Sequence, residues 1–287
     1  MSVTVIGDSF VDIIVPISGV NRGETHHRNV AVSCGGTANV AAQVARLGEE
    51  AKFVGKLGND ALGSYFWKNL KDSGVKALTL GDNNHFTGLC VSLVYKNGER
   101  SMVASRGAND YLTQGELEGL LPEILASRVV YFSGYSLLSN SEVILYAMGQ
   151  CRGRCEICFN PGAPNLIKDS FPKIIHEFVD TLILNIDEAK SIIGQDKIEG
   201  IASGLGNITP LSVITTGSEG CLVIKGKEWT EVPANNIVAG TDTTGAGDAF
   251  SAGFIVGRLR QMSEAECARL ANNTAANFLK EKADLLP

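Results

Sequence analysis

The run Gly240-Thr241-Asp242-Thr243-Thr244-Gly245-Ala246-Gly247-Asp248-Ala249-Phe250 holds the residue types in this chain best suited to chemistry. Gly245, Ala246 and Gly247 carry nothing larger than a methyl group. Residues 249–260 read as a helix with an apolar face of Phe250, Phe254, Ile255 and Leu259. A small-residue loop that opens a helix leaves backbone N–H groups unpaired at the positive end of the helix dipole. Such a place suits an anion, and phosphate is the usual occupant. Asp248 sits badly with simple anion binding, because a carboxylate repels the ligand. The two features agree if the carboxylate takes a proton from a nucleophile while the amides hold the charge developing on a transferred phosphoryl group. The plainer alternative is a glycine-rich turn with Asp248 as a helix cap. Taken alone, the run leaves both open.

Other candidates stand at the ends of apolar segments. Val3–Ile6 is a short β-branched strand closed by Gly7-Asp8, with Asp12 four residues on. Carboxylates at strand ends belong where ligands of open α/β sheets bind, and Asp8 with Asp12 suits vicinal hydroxyls; turn capping is the competing role. Cys34-Gly35-Gly36-Thr37-Ala38-Asn39 leads into a helix over Val40–Leu47. Its glycines permit close backbone approach, and the Asn39 amide falls in the first turn. Arg106 is a candidate for an anionic substrate group, although a lone Arg is more often a surface residue. Gly7-Asp8-Ser9 resembles the nucleophile block of GDSL hydrolases, which need a histidine base near the C-terminus. The histidines here are His26, His27, His85 and His176, none in the last hundred residues, so that reading stays only as a remote alternative.

Composition narrows the classes. The chain has 287 residues, 44% hydrophobic and 20% charged, as in an ordinary globular protein. A formal charge of -6 and the lack of a Lys/Arg stripe argue against nucleic acid. No apolar run reaches the length of a membrane span, and residues 1–7 enter a strand directly. Seven cysteines, an odd number, read as reduced thiols of a cytoplasmic protein. Cys151, Cys155 and Cys158 lie close together but have no fourth ligand nearby, which disfavours zinc.

The elements that must position these residues alternate. Strands are expected at Phe53–Leu57, Val129–Ser133, Cys155–Phe159, Thr181–Leu184 and Leu211–Thr215, with a short one over Asn29–Ser33. Helices are expected at Ala61–Ser73, from Thr113 to Ala126, and at Asn140–Cys151. A further helix, Ser263–Lys280, has Ser263 as N-cap and Glu266 at the capping-box position. This rhythm predicts an α/β fold with a mostly parallel sheet between helices and its polar turns on one edge. Two hairpins interrupt it: Gly88–Tyr95 with Arg100–Ser105 around Asn97-Gly98, and Cys221–Lys225 with Glu228–Val232. The first is expected off the main sheet, as a lid. Residues 1–287 are expected to form one domain with lid elements near 12–34 and 86–107. No Gly-x-x-x-x-Gly-Lys-Ser/Thr, no Gly-x-Gly-x-x-Gly after the first strand and no protein-kinase block is present.

The chain resembles the PfkB, or ribokinase-like, family of small-molecule kinases. Gly35-Gly36-Thr37-Ala38-Asn39-Val40-Ala41, with Gly48 and Gly58, fits its N-terminal signature. Asp242-Thr243-Thr244-Gly245-Ala246-Gly247-Asp248, with Ser251-Ala252-Gly253, fits its C-terminal one. The resemblance implies a ribokinase-like three-layer sandwich with a small β-sheet lid, which in some members pairs two subunits. It implies transfer of the ATP γ-phosphoryl group to a hydroxyl of a sugar, ribokinase- or fructokinase-like, or of a nucleoside, with Mg²⁺. A nucleoside would need an aromatic or apolar wall, for which Phe10, Phe86 and Tyr111 are candidates. A non-catalytic sugar- or nucleotide-binding protein is the remoter alternative. By the same resemblance Asp248 is the base, and the amides of Gly245, Ala246 and Gly247 form the anion hole. Asp8, Asp12, Gly35, Gly36 and Asn39 match sugar-binding positions. Asn185 and Glu188 match an Asn-x-x-Glu motif that organises the triphosphate and Mg²⁺, the latter often through water. Thr215, Gly217 and Gly220 fall where nucleotide binds, and Asn272 lies in the segment flanking adenine. Asp242 and Thr244 match positions that hold a monovalent cation, usually K⁺, in several members.

Overall fold

The computed structural model describes residues 1–17, 30–95, 100–162, 170–234 and 243–285. The chain begins with β1 (Ser2–Ile6), β2 (Ser9–Ile17) and β3 (Ala31–Gly36), then α1 (Ala38–Arg46), β4 (Glu50–Gly58), α2 (Ala61–Asp72) and β5 (Lys76–Asp82). The hairpin β6 (Gly88–Tyr95) and β7 (Arg100–Ser105) precedes α3 (Gln114–Leu125), β8 (Val129–Ser133), α4 (Leu137–Cys151) and β9 (Glu156–Asn160). There follow α5 (Phe171–Phe178), β10 (Thr181–Asn185), α6 (Ile186–Ile193), α7 (Ile198–Ile208) and β11 (Leu211–Thr215). A second hairpin, β12 (Gly220–Lys225) and β13 (Glu228–Pro233), leads to α8 (Ala246–Leu259) and α9 (Glu264–Leu285).

Among the described residues, nine strands form one sheet in the order β13-β12-β11-β10-β9-β8-β1-β4-β5. The pairings from β11 to β5 are parallel; only the β12–β13 hairpin adds antiparallel ones. Strands of a sheet buried on both faces alternate between two cores. Val3, Val5, Val129 and Tyr131 point to one core with α1, α2, α8 and α9. Ile6, Val130, Phe132 and Phe159 point to the other, with α3 to α7. These are the three layers the resemblance implies.

From β1 the chain steps outward through β4 to β5, then outward the other way from β8, so the order reverses between β1 and β8. Ligands of open α/β sheets bind in the crevice beyond the strand ends at such a reversal. Helix α8 lies across β1 and β8, so its first turn opens beside that crevice. A second sheet, β3-β2-β6-β7, stands apart, with β2 and β6 parallel and both outer pairings antiparallel. The first hairpin is thus off the main sheet, as expected; its Asn97-Gly98 turn lies outside the described residues. Asp60 fastens the root of this lid. It caps α2 by accepting from Gly63 N at 2.7 Å and also accepts from Thr87 N at 2.8 Å, just before β6.

Several elements differ from expectation. Strand β3 lies two residues later than Asn29–Ser33, because its glycines pair with Ser9 and Phe10. Helix α8 starts at Ala246, which places Asp248 inside its first turn; Gly245, not Asp248, is its cap. Strand β5 and helices α5 and α7 were not expected. Helix α7 carries three glycines, yet Ile201, Ala202 and Leu205 bury one face of it.

Candidate active site

The turn before α8 is held in a shape that only glycine adopts easily. Gly245 has φ +87°, and a Cβ there would come within 2.7 Å of the Phe278 ring. Ala246 N–H bonds the Thr243 carbonyl at 3.1 Å. That bond engages the Ala246 amide, one of the three expected in the anion hole, within its own turn. The first turn of α8 also presents the amides of Gly247 and Asp248. A Cβ on Gly247 would meet nothing within 4 Å, so the turn is open on that side.

Asp248 and Asn39 line one cavity. Asn39 Nδ2, from the first turn of α1, donates to Asp248 Oδ2 at 3.2 Å. Burial pushes the Asp248 pKa up to about 6; the Asn39 hydrogen bond opposes the rise and the Asp12 charge adds to it. Residues 209 apart in sequence are thereby joined, and the Asn39 amide orients the carboxylate.

The cavity before them holds about 490 Å³ between the main sheet and the lid. Phe10 and Asp12 alternate with fully buried Val11 on β2, so both turn to the cavity side. A Cβ on Gly35 would lie 2.1 Å from Asp12 Oδ2; glycine there makes room for the carboxylate. Burial raises the Asp12 pKa to about 6. Gly36, at φ +70°, leaves room for the Asp8 carbonyl.

Asp8 and Arg106 do not take the expected places. Arg106 Nη1 and Nη2 donate to the two Asp8 carboxylate oxygens at 2.9 and 3.1 Å, and its Nε donates to Asp110 and Ser139. Ser136 Oγ bonds Asp8 Oδ1 at 3.1 Å. Asp8 and Asp12 both line the cavity, but Asp8 is ion-paired to Arg106, whereas Asp12 has no such ion pair among the described residues. Among the described lining residues Arg106 is the only cation, and its charge is spent on carboxylates. The lid wall of the cavity is Phe10, Cys90, Met102 and Ala104. Of the aromatic candidates only Phe10 lines it: Phe86 is 66% exposed elsewhere, and Tyr111 stacks on His85 with ring centroids 3.4 Å apart. Ser9 is fully buried and its hydroxyl has no partner, which removes it as a nucleophile.

The remaining residues gather along the neighbouring strand ends. Asn185 caps α6 in a reciprocal box with Glu188: Glu188 N–H donates to Asn185 Oδ1 at 2.8 Å, and Asn185 N–H donates to Glu188 Oε2 at 2.9 Å. The Asn-x-x-Glu motif thus has a local structural reason in this capping box. Burial raises the Glu188 pKa to about 7. Thr215 pairs in register with Asn185. Gly217 and Gly220 both have positive φ, at +68° and +111°, in the turn after β11. Asn272 Nδ2 donates to the carbonyls of Val232 and Pro233, fastening α9 to β13. The Thr244 carbonyl accepts from Lys282 Nζ at 3.0 Å. Asp242 lies outside the described residues. The cysteines are free, and among the described residues no cluster suited to a metal ion occurs, at Cys151, Cys155 and Cys158 or elsewhere.

Sequence reasoning missed Tyr131, Tyr135, Ser136 and the lid residues Cys90, Met102 and Ala104. Tyr131 ends deep under the site, its phenol pushed well up by burial and then by the Asp248 carboxylate. Its signal was available, since strand β8 was read correctly and its alternation sends residue 131 toward α8. The others depend on which strands of the two sheets face each other, which no local pattern records.

Over residues 1–284 the chain matches the pfkB family of carbohydrate kinases. It belongs to that family. The chain is thus a phosphotransferase with an alcohol acceptor, and its three-layer body and small second sheet are those of its structural neighbours. Similar proteins include the ribokinase of Lactococcus lactis, 29% identical over 94% of this chain and 87% of the relative. Fructokinase-1 of Oryza sativa is 31% identical over 85% and 79%. The crystal structure of adenosine kinase from Sinorhizobium meliloti superposes with a TM-score of 0.87 at 26% identity, covering 97% of this chain and 94% of the other. This pfkB kinase has no described helix long and apolar enough to cross a membrane.

Proposed function

We propose that the chain is an ATP-dependent kinase that phosphorylates a hydroxyl of a neutral sugar, with Asp248 as general base. The observation that carries this reading is the meeting of Asp248 and Asn39 in a single cavity at the first turn of α8. Asp248 accepts the hydroxyl proton, Asn39 keeps its carboxylate aimed, and the amides hold the charge that develops on the phosphoryl oxygens. Asp12, Gly35, Gly36 and Asn39 receive the acceptor, with Asp12 as the carboxylate open to its hydroxyls. Asp8 and Arg106 brace this end of the cavity from within. The engagement of Arg106 by Asp8 and Asp110 supports a neutral acceptor over a carboxylated or phosphorylated one.

Asn185, Glu188, Thr215, Gly217, Gly220 and Asn272 form the nucleotide side. The open ground before Gly247 and the raised pKa of Glu188 fit a triphosphate and Mg²⁺, which supplies charge neutralisation when bound. The Thr244 carbonyl is engaged by Lys282, so this reading includes no K⁺. The lid excludes water when it closes and limits futile hydrolysis; pairing of two subunits through it belongs to the same reading. The two sheets act as one catalytic unit. Seven free thiols, buried or half-buried, support a cytoplasmic setting.

A nucleoside acceptor is the second reading, favoured by one observation: Phe10, Cys90, Met102 and Ala104 give the lid side an apolar wall suited to a base. ADP release measured across a panel of pentoses, hexoses and nucleosides separates the two. Turnover of sugars alone supports the first, and turnover of nucleosides alone supports the second. No turnover of any neutral acceptor overturns both.

A further inference from the structure

Helix α9 ends against the turn that opens α8. Phe278 and Lys282, four residues apart, share one face of α9. From that face the Phe278 ring closes on Gly245, and Lys282 Nζ donates to the Thr244 carbonyl at 3.0 Å. Between them in sequence, Glu281 pairs with Arg46 at 2.9 Å, tying the end of α9 to the helix that carries Asn39. The resemblance gives Thr244 to a monovalent cation. A lysine ammonium and an alkali ion carry the same charge and seek the same oxygen. With Nζ at hydrogen-bonding distance, that carbonyl does not fit a resident ion as well.

We propose that Lys282 is a positioning residue for phosphoryl transfer: a tethered cation that holds the Thr244 carbonyl and fixes the turn from which the α8 amides project. The proposal rests on the kinase reading above. Lys282 touches no reacting atom. It acts through Thr244, whose carbonyl it engages at 3.0 Å, while Phe278 packs against Gly245 of the same turn. A covalently held ammonium has no dissociation equilibrium, so the site stays set at any salt composition.

The test compares wild type, Lys282→Ala and Lys282→Arg in potassium chloride and in tetramethylammonium chloride of equal ionic strength. The wild type turns over equally in both salts and melts at the same temperature in both. Losing one charge-assisted hydrogen bond lowers kcat of Lys282→Ala by about tenfold to a hundredfold in tetramethylammonium. Its acceptor KM changes little, potassium restores part of the rate, and Lys282→Arg keeps most of it. Lys282→Ala also gains a potassium-specific rise in melting temperature, because an ion now binds the folded state. A potassium-specific rise in the wild type overturns the proposal. So does a Lys282→Ala variant with wild-type kcat, or one whose loss neither potassium nor arginine relieves. If no protein phosphorylates any acceptor, the kinase reading fails, while the melting comparison still decides the fate of the cation.

Discussion

Asp248 must be ionised to accept a proton, and burial has raised its pKa to about 6. Activity limited by this group therefore rises with pH through about 6 and levels off above it, read as a kcat/KM profile. Asn39 donates to the charged form, so Asn39→Ala moves that midpoint upward. Replacing the base is more severe. Asp248→Asn lowers kcat by about 10²- to 10⁴-fold while nucleotide affinity, measured by titration calorimetry, is kept. The same substitution stabilises the fold. A carboxyl whose pKa is higher folded than unfolded binds more protons in the native state, so its contribution to stability falls as pH rises from about 4 to about 6. Asp248→Asn should thus melt above the wild type at pH 7 to 8, with the advantage shrinking as pH drops through that window.

The elements serve these residues by ending in one place. Gly245→Ala tests the turn before α8. A left-handed φ costs a non-glycine residue about 1–2 kcal/mol, and the methyl also meets Phe278. The expected outcome is a lower kcat with a small fall in melting temperature, measured side by side; an unchanged kcat would show that the turn need not hold this shape. Much of this level was legible in the sequence. Apolar strands closed by Asp8, Asn160, Asn185 and Thr215 announced both the parallel sheet and its functional edge. Ser263 with Glu266 announced a helix start through its capping box; the box of Asn185 with Glu188 came to light only in the structure. Strand β5 was missed because its alternation lies between two glycines, Gly74 and Gly81, that read as turns. Helix α5 was missed because Phe171-Pro172 reads as a loop, although proline suits a first helical turn. The partners of Asp8 were not legible, because Arg106 and Ser136 reach it across 98 and 128 residues through tertiary packing alone.

At the scale of the molecule, the Asp8–Arg106 pair bolts the exit of the lid to the body of the sheet. Asp8 follows β1, Arg106 follows β7, and Ser136 and Ser139 reach them from the start of α4. The Asp8 side chain is 5% exposed and that of Arg106 21%, so removing the cation alone leaves a carboxylate buried without its partner. Arg106→Met should cost about 3–5 kcal/mol in urea unfolding, and the double variant Asp8→Asn/Arg106→Met should recover part of that. A single variant with wild-type stability would show that the lid is not anchored here. The whole account comes down to where the migrating phosphoryl group lies. A crystal structure with a non-hydrolysable ATP analogue and Mg²⁺ measures it directly. The account predicts terminal phosphate oxygens within hydrogen-bonding reach, about 3 Å, of the amides of Gly247 and Asp248, with the Asp248 carboxylate on the acceptor side. A terminal phosphate seated away from the first turn of α8, with Asp248 facing no acceptor, would contradict it.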